Sequence, residues 1–163
     1  MHLNHPNYTY GVTAEELMRV VGENFFEVYN GSPTVANCGD VHHVDTDHIW
    51  DVVLTFRISN LKLPLMYGLA CDDSHDYHDL PNREANPGRG WVEVLASELT
   101  PEALLAALET GRFYASSGVR IAEVSANSRF CRSSSRRSPA WNTRSISSAR
   151  APGFDAAARR GRQ

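Results

Sequence analysis

The chain has 163 residues, of which 42% are hydrophobic, a length and composition typical of one globular domain. Its net charge of −3 conceals a division, since residues 1–125 carry 18 acidic and 7 basic side chains, whereas residues 126–163 carry nine arginines and one acid. No stretch approaches the ~20 apolar residues that a membrane-spanning helix needs. Three cysteines without CxxC spacing argue against a disulfide framework and a thiolate zinc site. We therefore expect a reduced protein, cytoplasmic by default, without a membrane partner.

Strands and helices are predicted to alternate along residues 1–125. The first half contains a strand end at 2–4, a helix from a Thr13–Glu16 capping box to Gly22, a strand over 25–29 and a helix over about 45–58. Strands over 65–71 and 91–95 follow. A helix from Thr100-Pro101 to Gly111 then precedes the closing strands over 113–116 and 119–124. This alternation, at roughly 30–40 residues per unit, is typical of βα units. Since candidate site residues follow several strands, we predict an α/β fold that is part of a barrel.

Residues 126–163 differ in composition from the rest of the chain. They are rich in Ser, Ala and Pro, contain arginine but no lysine, and show no hydrophobic period. Such a segment buries too little apolar surface to offset its ordering entropy, so we predict disorder. Two interpretations stay open: a basic arm that binds nucleic acid, or an out-of-frame translation of a GC-rich gene. The second is favoured because GC-rich codons give arginine without lysine, and it places the end of the domain at residue 125.

The most informative motif is the tetrapeptide Asp-Asp-Ser-His at 72–75, which directly follows the apolar run of 65–71. Buried parallel strands present their functional groups at this C-terminal edge. Asp73 and His75 lie two residues apart, so in an extended segment both side chains point the same way. Carboxylate and imidazole together suit Zn²⁺, Mn²⁺ or Fe²⁺. The alternative is a solvated acidic turn.

Five further residues are candidates for supporting roles. Asp72 could orient a ligand imidazole, and His78 either contacts substrate or is simply exposed. Glu27 stands in an otherwise apolar strand, so it must find a metal or a hydrogen-bond partner such as Asn30 or solvent. Asn30 ends the same strand and could line a pocket. Arg89 could reach a phosphate, although a surface turn explains it as well.

His5 is the candidate ligand at the start of the chain. Pro6 follows it and biases its backbone toward extended geometry, which suits an imidazole held in place for a metal. Taken alone, a histidine before a proline is more often a loop or capping residue than a metal ligand. A second polar cluster also has ligand-type side chains: Asp40, His42, His43, Asp47 and His48.

Four of these segments together resemble a known family. They are NHPN at 4–7, FEVYNG at 26–31, GLACDDSH at 68–75 and GRFYASSG at 111–118. In order and spacing they resemble the C-terminal half of PHP-domain proteins, the polymerase and histidinol phosphatase superfamily of metal-dependent phosphoesterases.

The resemblance implies a distorted (β/α)7 barrel with two or three metal ions at the C-terminal edge of its strands. It implies that His5, Asp73 and His75 are metal ligands, with Glu27 as a further candidate. It also implies that metal-activated water hydrolyses a small-molecule phosphate ester.

The chain departs from the family pattern at its start. The family's His-x-His motif and several other ligands lie upstream of the His-Pro motif, and only four residues precede His5. We therefore expect a partial barrel, an incomplete metal site and weak or no activity. Two alternatives remain: a non-catalytic fragment or module that binds nucleic acid through its tail, and an amidohydrolase-type hydrolase with similar ligands.

Overall fold

The computed structural model describes residues 1–78, 84–127 and 131–136. Within them the helices and strands are α1 (Ala14–Leu17), β1 (Phe25–Asn30), α2 (Thr46–Phe56), β2 (Tyr67–Cys71), β3 (Trp91–Val94), α3 (Pro101–Glu109), β4 (Phe113–Ser116), β5 (Arg120–Ala126) and β6 (Cys131–Arg136), with a 3₁₀ turn at Tyr8–Tyr10 and a π-helical turn at Arg57–Leu61. The chain divides into two compact units, Met1–Ser117 and Gly118–Gln163.

The helix starts follow the capping chemistry expected from the sequence. The Thr13 side chain accepts from the Glu16 N–H at 3.3 Å, and the Glu16 side chain reaches back to complete the predicted capping box. Thr100 caps α3, with Pro101 at the first helical position. Asp45 caps α2. In the part of the chain that is described, no helix has the length and apolarity to cross a bilayer.

A parallel pair of strands, β1 and β2, is the centre of the first unit. The segment before β1 joins this sheet through a single parallel bridge, in which the Leu3 N–H donates to the Phe25 carbonyl at 3.0 Å and the Leu3 carbonyl accepts from the Glu27 N–H at 2.9 Å. α1 and α2 pack beside this sheet. The buried core cluster consists of Leu17, Met18, Phe26, Val28, Ile49, Val53 and Met66. Each side chain of this size stabilises the fold by roughly 1.5–3 kcal/mol when fully buried.

The prediction of a partial distorted (β/α)7 barrel is wrong. The described strands form three two-stranded sheets, and only β1 and β2 are parallel; β3 pairs with β4, and β5 with β6, in antiparallel fashion. After α3 the chain turns at Gly111, whose φ is 70°, and the Arg112 N–H donates to the Ala107 carbonyl. Gly111 thus ends α3 in the left-handed conformation that is common after helices, and β4 then runs antiparallel to β3. A helix between two strands is compatible with either direction, so the alternation alone could not exclude this outcome.

The second unit corrects part of the disorder prediction. Residues 131–136 lie within the segment predicted to be disordered, yet they form β6, which pairs with β5. Main-chain hydrogen bonds between paired strands need no hydrophobic period, which is why composition did not reveal this hairpin. The rest of the predicted tail, at 128–130 and 137–163, lies outside the described residues.

Arg57 is a buried cation that joins three segments of the first unit. It is 1% exposed. Its Nε donates to the Pro64 carbonyl at 2.8 Å, and its Nη1 donates to the carbonyls of Met18 at 3.3 Å and Val20 at 2.7 Å. Burial lowers the pKa of Arg57, but a guanidinium stays charged in proteins. The residue therefore ties the chain after α1 to the approach to β2.

We predict that Arg57→Ala lowers the free energy of unfolding by about 2–4 kcal/mol, because three carbonyls lose their donor and a large buried volume is emptied. Urea unfolding followed by tryptophan fluorescence measures this. Arg19, which is exposed, provides the matched control, and Arg19→Ala should change the same quantity by less than about 0.5 kcal/mol. Equal effects of the two substitutions would contradict the assigned role of Arg57.

Candidate functional site

Glu27 and Asn30 share one face of β1 because this strand contains a β-bulge. Glu27 is paired with Leu69, but the next residue of β2 is paired with Tyr29, which leaves Val28 as an extra residue. Residues three apart in a regular strand point to opposite faces, and one inserted residue reverses this relation. As a result, the Asn30 Nδ2 lies 2.9 Å from the Glu27 Oε2.

The Glu27 carboxylate is buried and fully occupied by donors. It is 4% exposed. Its Oε1 lies 3.0 Å from the His2 Nε2, and its Oε2 accepts from the His5 backbone N–H at 2.7 Å and from Asn30. Burial alone would raise the pKa of Glu27, but hydrogen bonds from Asn30, the Cys71 thiol, the His5 N–H and His2 outweigh it and lower the pKa. Of the alternatives left open by the sequence, the hydrogen bond to Asn30 is present.

Asn30 also connects this carboxylate to the loop after β2. Its Nδ2 lies 3.2 Å from the Asp73 Oδ2, while its Oδ1 accepts from the Ser32 N–H at 2.8 Å. The bond from Ser32 fixes which end of the amide faces the two carboxylates. Asn30 is 1% exposed. Both of its amide atoms are engaged, so its role is to hold Glu27 and Asp73 together.

Two residues of the site adopt left-handed backbone conformations. His5 has a φ of 22° and Asp73 a φ of 46°. Residues other than glycine rarely occupy this region, and such conformations cluster at active sites and ligand-binding segments. The left-handed φ of Asp73 also means that the loop is not extended there, so strand-like alternation does not place Asp73 and His75 on one side.

The predicted histidine ligands have different surroundings. The His5 ring packs edge-on against Tyr8, with ring centroids 5.2 Å apart, and its contact with Glu27 is through the backbone. The His75 ring is exposed, and its Nδ1 lies 2.7 Å from the Asp73 carbonyl oxygen. His78 is exposed. The structure therefore brings Asp73 close to Glu27 through Asn30, whereas the His75 and His78 side chains are exposed to solvent.

Sequence reasoning missed two residues that contact Glu27, namely His2 and Cys71. Burial and the hydrogen bond to Glu27 raise the pKa of Cys71 to about 12, so it remains a neutral thiol donor. Asn30 is paired with Cys71 in the sheet. Given the bulge, this pairing places Cys71 on the same face of the sheet as Glu27, but nothing in the sequence predicts the bulge.

Asp72 organises the loop that precedes β3. Its Oδ1 accepts from the backbone N–H groups of Arg89 at 2.6 Å and Gly90 at 2.8 Å, and its Oδ2 accepts from Gly88 at 3.0 Å. A carboxylate that accepts three backbone bonds holds the chain in one path. A Cβ placed on Gly90 would lie 2.5 Å from the Cys71 carbonyl oxygen, so this close approach needs glycine.

The second polar cluster ties two loops together. Asp40 accepts from the backbone N–H groups of His42 and His43, and the His43 ring stacks on Tyr10 with centroids 3.7 Å apart. The His42 N–H, the Tyr10 hydroxyl and His43 lower the pKa of Asp40 to about 2. An open depression of about 410 Å³ is lined by Asp40, His42 and His43 together with Cys38, Asp45 and His48.

The described residues do not supply a complete metal site. Across 1–78, 84–127 and 131–136, no three His, Cys, Asp or Glu side chains are grouped so that they could hold a metal ion. At the strand edge the amide of Asn30 lies between the carboxylates of Glu27 and Asp73, where a shared cation would otherwise neutralise them. In this arrangement the edge offers two carboxylates, which are fewer than the three protein ligands that a catalytic zinc site uses.

Comparison with known proteins gives no match among protein-family models, curated proteins or solved structures. The resemblance to PHP-domain proteins thus rests on the four sequence motifs, and the functional argument rests on the geometry of the strand edge.

We predict that Glu27→Gln lowers the free energy of unfolding by about 1–3 kcal/mol at pH 7, because an amide cannot accept from all of these donors. The folded-state pKa of Glu27 lies below the ordinary 4.5. Its ionised form therefore contributes stability above that value, and this contribution is lost as the pH falls through the folded pKa. The difference between wild type and variant should shrink as the pH falls from 7 to below the ordinary 4.5.

Urea unfolding at several pH values measures this difference. Glu109→Gln, at an exposed position near the end of α3, is the matched control and should show little effect at any of them. A pH-independent cost for Glu27→Gln would contradict the ionised, hydrogen-bonded carboxylate.

Proposed function

We propose that this chain carries part of the site of a metal-dependent phosphoesterase, and that as it stands it hydrolyses phosphate esters slowly or not at all. The observation that supports this most directly is the meeting of Glu27 and Asp73 around the single amide of Asn30. Asn30 is the last residue of β1 and Asp73 follows the end of β2, so the two carboxylates are joined at the carboxyl ends of parallel strands, where α/β enzymes place their functional groups.

Two further features support a functional rather than a purely structural edge. His5 and Asp73 both belong to this site, and both have left-handed backbone conformations, which are energetically unfavourable for residues other than glycine. A buried carboxylate is also costly to retain if it serves only the fold, because an apolar residue of similar size fills such a position without a desolvation penalty. The motifs that resemble the PHP superfamily contain these same residues.

The expectation of weak activity follows from the ligand count. Zn²⁺ sites in enzymes use three protein ligands, and Mn²⁺ and Fe²⁺ sites use comparable mixed oxygen and nitrogen donors. The strand edge offers Glu27 and Asp73, and the Asn30 amide already occupies the space between them. The proposed substrate is a small-molecule phosphate ester.

The proposal is tested first by Mn²⁺ binding, measured from the loss of the electron paramagnetic resonance signal of the free ion. We expect weak binding to the full chain, weakened a further tenfold or so by Asp73→Asn, which corresponds to about 1.4 kcal/mol. Asp47→Asn, which removes an exposed carboxylate from α2, should leave the affinity unchanged. Identical affinities for the three proteins would contradict the proposal.

A gain-of-function variant makes the test sharper. Asn30→Asp replaces the amide between the carboxylates by a third carboxylate, and we expect Mn²⁺ to bind at least about tenfold more tightly than to wild type. Circular dichroism of the variant with and without Mn²⁺ reports whether it is folded. A folded Asn30→Asp protein with unchanged affinity would show that Glu27, Asn30 and Asp73 are not a cation-binding edge.

The reaction class is tested with 4-nitrophenyl phosphate, bis(4-nitrophenyl) phosphate and a 4-nitroanilide in the presence of Zn²⁺, Mn²⁺ or Fe²⁺. We expect release of nitrophenol at or slightly above the rate of a buffer control, and no release of nitroaniline. Cleavage of the amide without cleavage of either ester would replace the proposal by an amidohydrolase-type activity.

A further inference from the structure

Asn86 has a buried side-chain amide without a hydrogen-bond partner. The residue is 7% exposed, and within the described part of the chain neither its Nδ2 nor its Oδ1 makes a hydrogen bond. Native proteins pair nearly all buried polar atoms with protein, water or ligand, so an amide that is left unpaired calls for an explanation. An amide offers two N–H donors and one carbonyl acceptor, so it suits a ligand rich in oxygen.

The residue before Asn86 attaches this loop to the segment that follows β2. The Ala85 carbonyl oxygen accepts from the Ser74 hydroxyl at 2.9 Å, from the His75 N–H at 3.1 Å and from the Asp76 N–H at 3.0 Å. Asn86 therefore lies directly beside the loop that contains Asp73.

The residues after Asn86 are attached to the same segment. The Asp72 carboxylate accepts from three successive backbone N–H groups, those of Gly88, Arg89 and Gly90. With Ala85 fixed on one side and residues 88–90 on the other, the position of Asn86 is determined by the strand edge. We refer to residues 84–90 as the 84–90 loop.

Arg89 lies next to the end of β1. A Cβ placed on Gly31 would be 2.7 Å from the Arg89 Cβ and 2.9 Å from the Asp72 carbonyl oxygen. Burial raises the pKa of Tyr29, and the positive charge of Arg89 acts against that effect, which is consistent with a guanidinium close to this strand. Gly31 directly follows Asn30, so Arg89 lies beside the end of β1, the strand that contains Glu27.

We propose that Asn86 and Arg89 recognise the phosphoryl group of the substrate, and that Asp72 is the positioning residue that holds their loop in place. This inference rests on the proposed function, because it supplies that site with its substrate contacts. The guanidinium of Arg89 provides the charge and directional donors that phosphate oxygens prefer. The Asn86 amide donates to a second phosphoryl oxygen, and its carbonyl accepts from a hydroxyl or water that accompanies the ester.

Inorganic phosphate, without added metal, is the probe. In ¹⁵N-labelled protein the side-chain amide signals of Asn86, assigned by their loss in Asn86→Ala, are expected to shift saturably as phosphate is added. Acetate at equal ionic strength should shift these signals less, because its carboxylate has fewer oxygens and a lower charge than phosphate. Signals that do not move with phosphate, or that move equally with acetate, would overturn the proposal.

The charge contribution is tested by Arg89→Gln, which we expect to weaken phosphate binding about tenfold. Arg112→Gln is the matched control, because Arg112 follows Gly111, where a Cβ would lie 2.6 Å from the ring of Tyr67, at the opposite end of β2. The control removes the same charge and should leave the affinity nearly unchanged. Equal effects of the two variants would reduce the role of Arg89 to net charge and overturn its assignment.

Asp72→Ala separates a positioning role from an electrostatic role, because the two roles predict changes of opposite sign in phosphate affinity. Removal of a negative charge near the phosphate would tighten binding if charge alone mattered. A positioning role predicts weaker binding, because the three N–H groups lose their common acceptor. Thermal unfolding verifies that the variant is folded, and Asp72→Asn, which retains one acceptor oxygen, should have a smaller effect. Tighter binding in a folded Asp72→Ala protein would overturn the positioning role.

The outcome is distinguishable from that of the metal test. Phosphate titration is carried out without metal, whereas the Mn²⁺ measurement is carried out without phosphate. Loss of the Asn86 response alongside Mn²⁺ binding that depends on Asp73 would refute the phosphate contacts alone. An Asn86 response alongside Mn²⁺ binding that is insensitive to Asp73 would refute the proposed metal edge alone.

Discussion

The buried carboxylate of Glu27 is the constraint around which the first unit is arranged. An ionised carboxylate removed from water is tolerated only when donors surround it, and here the donors come from three separate segments. The start of the chain provides His2 and the His5 N–H, β1 provides Asn30, and β2 provides Cys71. The charge therefore specifies how these segments meet, in addition to the apolar core beneath them.

The β-bulge in β1 is what makes this arrangement possible. Because one extra residue is inserted at Val28, Asn30 returns to the face of Glu27 and can bond Asp73 as well. The Asp73 carboxylate, in the loop after β2, is thereby held beside Asn30, and the Asp73 backbone adopts an unfavourable left-handed conformation. Asp72, one residue earlier, is left to hold the 84–90 loop. The two adjacent aspartates thus have different contacts: Asp73 belongs to the candidate site, whereas Asp72 holds the loop that borders it.

Local signals in the sequence predicted local structure well and long-range pairing poorly. The capping residues Thr13 and Thr100 mark their helices because a side chain that accepts from an N–H three residues on needs no distant partner. The barrel prediction was wrong because a helix between two strands does not fix their relative direction, and β3 and β4 pair in antiparallel fashion. The strand β6 was missed because its pairing with β5 is made by the main chain.

By itself the sequence determined which side chains are available for chemistry and where helices begin. It placed Glu27 in an apolar strand and the pair Asp72 and Asp73 after a buried one, since hydrophobic runs and polar interruptions are properties of neighbouring residues. Only the tertiary structure decided which of these groups meet. A single inserted residue in a strand reverses the face of every side chain beyond it, and that shift is visible only in the pairing with another strand.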